Sequence, residues 1–333
     1  MKKILVIQTA SIGDVILTTP VIENLREKFP EAAIDILVKK GNETLFEKHP
    51  FLHKVLIWDK SRKKYKNLLT SLFCIRQRKY DLAVNVQRFF STGFLTAFSR
   101  AKTTTGFKKN PLSFLFTHRI KHLFGENVHE TERNLSLISR FVPQPERSIR
   151  LYPSKEDDAF VSRYKTTLYI TISPASLWFT KQFPKEQWVR LLQKLPSDLT
   201  VYFLGGKDDK TLCDEIIQPS GHTSSVNLAG RLTLLQSASL MKQAQMNFVN
   251  DSAPMHLCSA VNAPTTAIFC STVPHFGFGP LSENAHIVEC REDLPCRPCG
   301  LHGFQKCPKQ HFKCGNNIDI NDLTEKLNEH TTP

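Results

Sequence analysis

Short apolar runs rich in β-branched residues recur along this chain, each followed by a stretch of helical length, and few folds accommodate that alternation. In the first half the runs are residues 4–7, 33–38, 54–58 and 81–86; in the second they are 168–172, 199–204, 246–250 and 265–269. Strands that alternate with helices join through right-handed crossovers and lie parallel in one sheet. Parallel strands are covered on both faces, so they read as nearly unbroken apolar runs, as Ile4-Leu5-Val6-Ile7 does. Two halves that each open on a strand predict an α/β chain of two Rossmann-like domains, with parallel sheets facing across a cleft. The 333 residues, 41% of them hydrophobic, suffice for two cores.

The first half ends at Pro143 and Pro145, which stop a helix, and Lys155-Glu156-Asp157-Asp158 opens a connecting helix. The boundary is placed between residues 143 and 165, giving domains 1–150 and 151–333. Residues 321–330 read as a terminal helix. After the first strand, Pro20 in a first turn and apolar Val21, Ile22, Leu25 and Phe29 predict a helix that ends near Pro30.

Met1-Lys2-Lys3 and the apolar run behind it faintly resemble a secretory leader, but Gln8 and Asp14 interrupt the run early. No stretch approaches the roughly 18 uninterrupted apolar residues of a spanning helix. Nine cysteines, an odd number, with Cys74, Cys213, Cys258 and Cys270 scattered through apolar or helical contexts, fit a reducing compartment better than a disulfide framework. The expectation is a soluble, unexported, cytoplasmic protein. Its net charge of +13 draws polyanions: nucleic acid, anionic lipid or a phosphorylated substrate. The basic residues cluster early, at Lys60, Arg62, Lys63, Lys64 and Lys66, at Arg76, Arg78 and Lys79, and at Lys108, Lys109, Arg119, Lys121 and His122. Neither dinucleotide-binding nor P-loop glycine spacing is present, which disfavours a nicotinamide enzyme or a P-loop ATPase.

Three places hold residue types that carry chemistry. In Ser11-Ile12-Gly13-Asp14, Asp14 lies just past the carboxyl end of the first strand, where open α/β sheets bind ligands. It reads equally as a helix cap. In Asn250-Asp251-Ser252-Ala253-Pro254-Met255-His256, a strand leads into a helix whose first amides, at Ser252 and Ala253, can cradle a phosphate. The plainer reading makes Asp251 or Ser252 a cap and His256 a buried histidine. The third place gathers two strand ends: Ser173-Pro174-Ala175-Ser176 with Lys181 ahead of Phe183-Pro184, and Gly205-Gly206-Lys207-Asp208-Asp209. Lys181 can neutralise a phosphate as a point charge. Asp208 and Asp209 are placed to accept hydrogen bonds from ribose hydroxyls.

Taken together, these segments resemble the heptosyltransferases of glycosyltransferase family nine, its heptosyltransferase II branch most, over nearly the whole chain. The resemblance implies a GT-B fold and inverting transfer of heptose from ADP-heptose to the lipid-linked inner core (lipid A–Kdo type) of lipopolysaccharide. It implies Asp14 as general base, with Ser11 and Gly13 beside the acceptor on the N-terminal domain. It implies that the C-terminal domain binds the donor: Lys181 and the Ser252 and Ala253 amides hold the diphosphate, Asp251 and His256 touch sugar or phosphate, and Ser176, Asp208 and Asp209 complete the site. Ala253 departs from the glycine usual in the family, and its Cβ restricts close approach of the backbone. No cofactor is required, although a divalent cation can stimulate transfer. The expected location is cytoplasmic, peripheral on the inner membrane through anionic lipid, with no nucleic-acid partner. The rivals are a transferase or epimerase using another nucleotide sugar, and a non-catalytic basic module that holds nucleic acid or a membrane surface.

Cys296, Cys299, Cys307 and Cys314, near His302 and His311, carry a zinc-ribbon-like spacing whose second pair is wider than usual. The competing reading, reduced cysteines in a Pro- and Gly-rich loop with no metal, is preferred.

Overall fold

Residues 1–124 and 127–328 are described by a computed structural model, in which the chain divides into two compact units, Met1–Tyr152 and Pro153 onward.

The first unit is built on β1 (Lys3–Ile7), β2 (Ala33–Lys39), β3 (Leu52–Trp58), β4 (Leu82–Asn85), β5 (Thr103–Phe107) and β6 (His118–Ile120). Its helices are α1 (Ile12–Ile16), α2 (Thr19–Lys28), α3 (Lys64–Arg78), α4 (Phe90–Ala97) and α5 (Glu130–Ser136). The strands form one parallel sheet in the order β3-β2-β1-β4-β5-β6. From β1 the chain first moves outward through β2 and β3, then returns to the other side of β1 for β4, β5 and β6. The order therefore reverses between β1 and β4, and the crevice beyond their carboxyl ends is where such sheets bind ligands.

The second unit repeats this plan. It contains α6 (Lys155–Val161), β7 (Tyr169–Ser173), α7 (Lys185–Lys194), β8 (Thr200–Phe203), α8 (Lys210–Ser220), β9 (Ser225–Asn227), α9 (Leu234–Lys242), β10 (Asn247–Asn250), α10 (Ala253–Ala260), β11 (Thr265–Phe269), β12 (Ala285–Glu289), α11 (Lys313–Asn316) and α12 (Ile320–Asn328). The parallel order β12-β11-β10-β7-β8-β9 reverses between β7 and β10. Its core joins Ile170, Ile172, Val201, Phe203, Phe248 and Ile268 to Trp188, Leu191 and Leu192 of α7, all buried.

The eight apolar runs all become strands, and the alternation yields parallel sheets as expected. β5, β6, β9 and β12 are absent from that reading: β5 is Thr-Thr-Thr-Gly-Phe, the edge strands β6 and β9 are three residues each, and His286 and Glu289 leave β12 only a two-residue apolar run after Ala285. The helix expected around Pro20 is α2, with Pro20 in its first turn, and the short helix α1 precedes it. Between β2 and β3 the expected helix is instead a single 3-10 turn, Glu43–Phe46. Only the twelve residues 40–51 join the two strands, and they include Gly41 at φ +97° and Pro50, both unsuited to a continuous helix. The terminal helix is α12; residues 329 and 330 of that expectation lie outside the described residues. Among the described residues no helix is long and apolar enough to cross a membrane.

Candidate active site

In the first unit the turn from β1 into α1 is held by side chains on both sides of the reversal point. Gln8 donates to Thr18 Oγ1 at 3.1 Å and accepts from the Ala10 N–H, while Thr9 Oγ1 donates to Gln87 Oε1 beyond β4 at 2.7 Å. Asn42 Nδ2 donates to Ala10 O at 2.9 Å, and Lys60 Nζ donates to Thr9 O at 2.7 Å and Thr9 Oγ1 at 2.9 Å. Burial, with Lys39 and Lys64 adding like charge, lowers the Lys60 ammonium to about 8.

On this frame Asp14 is the third residue of α1. Its Oδ2 accepts from the Ser11 N–H at 3.1 Å and from Ser11 Oγ. The cap reading and the chemical reading thus apply to the same carboxylate: Oδ2 closes the helix start, while Oδ1 takes no hydrogen bond among the described residues. Gly13 is buried in the same turn and Ser11 is exposed.

A second carboxylate belongs to this place. Glu130, at the start of α5, pairs through Oε2 with Arg133 Nε at 2.6 Å, and the Arg133 side chain is buried. Burial pushes the Glu130 carboxyl above its usual range; Arg133 pulls it back, and the nearby charge of Asp14 adds to the rise. Sequence reasoning passed over this pair. The i,i+3 spacing of acid and arginine at a helix start was its one visible signal.

In the second unit, Asn250 staples the reversal point. Its Nδ2 donates to Pro174 O at 2.7 Å and its Oδ1 accepts from the Phe183 N–H at 2.9 Å. That draws the loop after β7 against the end of β10 and fixes Lys181, two residues before Phe183. Lys181 Nζ then meets Asp251 Oδ2 at 2.6 Å, with both side chains largely buried, and Thr272 Oγ1 donates to the same oxygen at 2.6 Å. Ser252 occupies the N-cap position of α10 with extended backbone but makes no capping bond, and Pro254 lies in the first turn. The amides there remain uncovered by a side-chain cap, as an anion site requires. His256 is buried on α10.

The remaining expected residues fall nearby with different partners. Ser176 presents its carbonyl to Gln182 Nε2 at 2.6 Å. Asp209 Oδ2 accepts from the Gly206 N–H at 2.7 Å and so shapes the turn after β8, while Asp208 beside it is exposed.

The cysteine loop is strapped to this end of the sheet. Arg297 Nε donates to Cys270 O at 2.7 Å, its Nη2 donates to Thr272 O at 2.9 Å, and the same nitrogen pairs with Glu289. Thr180 Oγ1 accepts from the Phe304 N–H at 2.8 Å and from Ser271 Oγ at 2.9 Å. Thr180, Thr272 and Arg297 are supports that the sequence did not single out. Cys296, Cys299, Cys307 and Cys314 are free thiols, and burial pushes Cys314 up to about 12. Among the described residues no group of three or more His, Cys, Asp or Glu side chains is disposed to hold a metal ion.

Residues 73–303 match the model of glycosyltransferase family 9 (heptosyltransferase). The chain belongs to that family. This glycosyltransferase is 28% identical over 294 residues to lipopolysaccharide heptosyltransferase 3 of Escherichia coli, an alignment covering 82% of this chain and 84% of that one. The ADP-heptose lipopolysaccharide heptosyltransferase II of E. coli has the same fold, with a TM-score of 0.80 at 21% identity over 99% of this chain and 98% of the other. E. coli heptosyltransferase WaaC, solved with ADP, superposes with a TM-score of 0.75 at 17% identity over 99% and 100%. The GT-B architecture of the heptosyltransferase is thereby shown.

Proposed function

We propose that the enzyme transfers heptose from ADP-heptose to the lipid-linked inner core of lipopolysaccharide with inversion at the anomeric carbon. Relatives named for this reaction support the donor and acceptor classes. The observation that supports the reading is that Asp14 follows β1 at the reversal point of the first unit, while Lys181 and Asp251 meet at the reversal point of the second. The first unit, residues 1–150 in the expected division, takes the acceptor; the second, 151–333, takes the donor.

The acceptor hydroxyl gives its proton to Asp14 while its oxygen attacks the anomeric carbon. The bond from that carbon to the diphosphate oxygen breaks, and its electron pair leaves with ADP. Negative charge then grows on the diphosphate, where Lys181 and the Ser252 and Ala253 amides stabilise it. Asp251 orients Lys181 and, with His256, faces the donor sugar or phosphate. Ser176, Asp208 and Asp209 line the nucleoside side, and Ser11 and Gly13 the acceptor side. Three expected donor residues, Lys181, Asp251 and Ser252, lie on the two loops that Asn250 ties together, and His256 follows on α10, which supports a single donor site.

The basic first half suits an acceptor bearing carboxylates and phosphates, and suits peripheral attachment to the anionic inner face of the cytoplasmic membrane. The test is a transfer assay that follows ADP release from ADP-heptose with a lipid A–Kdo acceptor. Acceptor-dependent ADP release is expected. A folded enzyme that binds ADP by calorimetry yet releases none in the presence of acceptor overturns the reading.

A further inference from the structure

We propose that α3, α4 and the 3-10 turn Ser113–Leu115 form a membrane-docking face that sets two rows of aromatic and aliphatic side chains among the headgroups of an anionic bilayer. The proposal rests on the reading above only in its purpose, bringing the enzyme to a lipid-linked acceptor; its geometry stands independently.

Helix α3 has an apolar sector wider than the core can cover. Leu68, Leu72 and Ile75 are buried against the sheet, but Tyr65, Leu69 and Phe73, at i, i+4 and i+8, continue the sector outward and are 78%, 48% and 59% exposed. Residues spaced this way form one row along a helix. Helix α4 repeats the device. Leu95 packs into the same core, while Phe90, Phe94 and Phe98 form a second i, i+4, i+8 row, with Phe90 58% and Phe98 46% exposed and the Phe94 and Phe98 rings 5.0 Å apart.

The two rows share one side of the unit. The crossovers from β3 to β4 and from β4 to β5 run in the same direction across the sheet, so right-handedness puts α3 and α4 on the same face. They contact each other, and the turn Ser113–Leu115 contacts α4 and adds Phe114 and Leu115, both exposed. Asn110 pins that loop, donating from Nδ2 to Phe89 O at 2.9 Å, and a Cβ at position 93 would stand 2.1 Å from Asn110 Oδ1 and force that side chain to move. Of the nineteen exposed large apolar side chains among the described residues, eight lie here, counting Phe89. A contiguous apolar patch of this kind marks an interaction surface.

Charge selects the occupant. Residues 60–124 contain fifteen Lys and Arg and one acid, Asp81. Asp81 is already engaged by Lys102 and by the Lys2 and Lys3 amides. Around the rows stand Arg62, Lys63, Lys64, Lys66 and Lys109, all exposed and none in an ion pair among the described residues. Aromatic rows bordered by unpaired cations match the interface of an anionic bilayer, where rings settle at headgroup level and lysines and arginines meet lipid phosphates. A protein partner with an acidic, apolar surface is an outcome the test must separate.

The full chain is floated with vesicles of phosphatidylethanolamine and phosphatidylglycerol (3:1) and with phosphatidylcholine alone. Wild type is expected to float with the first and not the second. Tyr65→Ser/Phe73→Ser is expected to lower partitioning by about tenfold or more, because binding scales with buried apolar area. Its melting temperature and its transfer rate to a deacylated, water-soluble acceptor should stay unchanged. The indole of Phe73→Trp should be quenched by brominated acyl chains beyond the wild-type background. Unchanged partitioning of the serine variant, or no added quenching, overturns the proposal. So does a dimer that the serine variant dissolves while vesicle binding persists. A wild-type chain that binds vesicles but transfers no heptose counts against the function alone.

Discussion

Lys181 and Asp251 form an ion pair of 2.6 Å whose side chains are only 13% and 7% exposed, joining the loop after β7 to the loop after β10. Thr272 and the Asn250 staple hold both loops in place, so the ammonium is delivered to the amino end of α10 at a fixed position. The carboxylate prevents a buried lysine from standing alone when no diphosphate is bound.

Lys181→Ala is therefore expected to act twice. Leaving Asp251 charged and unpaired should cost about 2–4 kcal/mol of stability, measured by urea denaturation. Calorimetry should also show weaker ADP binding. The double variant Lys181→Ala/Asp251→Ala should regain part of the stability but none of the affinity. An unchanged dissociation constant in Lys181→Ala would remove the lysine from the donor site.

Asp14→Asn tests the other unit. The amide keeps an oxygen for the Ser11 N–H, so stability should fall by about 1 kcal/mol or less. Loss of the base should lower transfer by about 10²–10⁴-fold with donor affinity retained. Full turnover by the folded variant would exclude Asp14 as the base.

Stability of the first unit should depend on pH through two histidines. Burial lowers His49 to about 4, and burial with Arg88, Arg133 and Lys109 lowers His122 to about 4. In the unfolded chain both titrate near 6.5. Between those values the unfolded state binds more protons, so the stability they confer is complete above about pH 6.5 and is lost as pH falls toward 4. After allowance for partial solvent screening, the loss is on the order of 2–4 kcal/mol for the two together. Glu23 and Glu130, both raised by burial, act in the opposite sense. Urea midpoints from pH 7 to 4.5 should show the decline, and His122→Gln should make it shallower.

The sequence made the sheets legible because buried parallel strands are mostly apolar: Ile4 to Ile7 can hardly be anything else. It hid β5 and β6, where Thr103, Thr104 and Thr105 or His118 and Arg119 satisfy a ladder without apolar content. At the site it exposed residues that follow strands, since topology alone carries Asp14 and Asp251 to a reversal point. It did not reveal which of them touch. Lys181 meets Asp251 because Asn250 bonds Pro174 and Phe183, a link set by tertiary geometry that no spacing encodes. Glu130 and Arg133 escaped notice because their importance lies in burial and in the proximity of Asp14.

The turn after β8 gives the last prediction. A Cβ at Gly205 would stand 2.8 Å from Asp209 Cβ, closer than carbon atoms pack, and Asp209 is itself tied to the Gly206 N–H at 2.7 Å. Gly230 N–H also donates to Gly205 O at 2.9 Å, so the backbone cannot retreat without breaking a second contact. Gly205→Ala should therefore push the Asp208-Asp209 turn outward rather than be absorbed, costing about 1–3 kcal/mol. If those acids face the ribose, ADP affinity falls while affinity for inorganic diphosphate, which needs only Lys181 and the α10 amides, is retained. Calorimetry with both ligands decides it: equal losses would place the turn outside the nucleoside site.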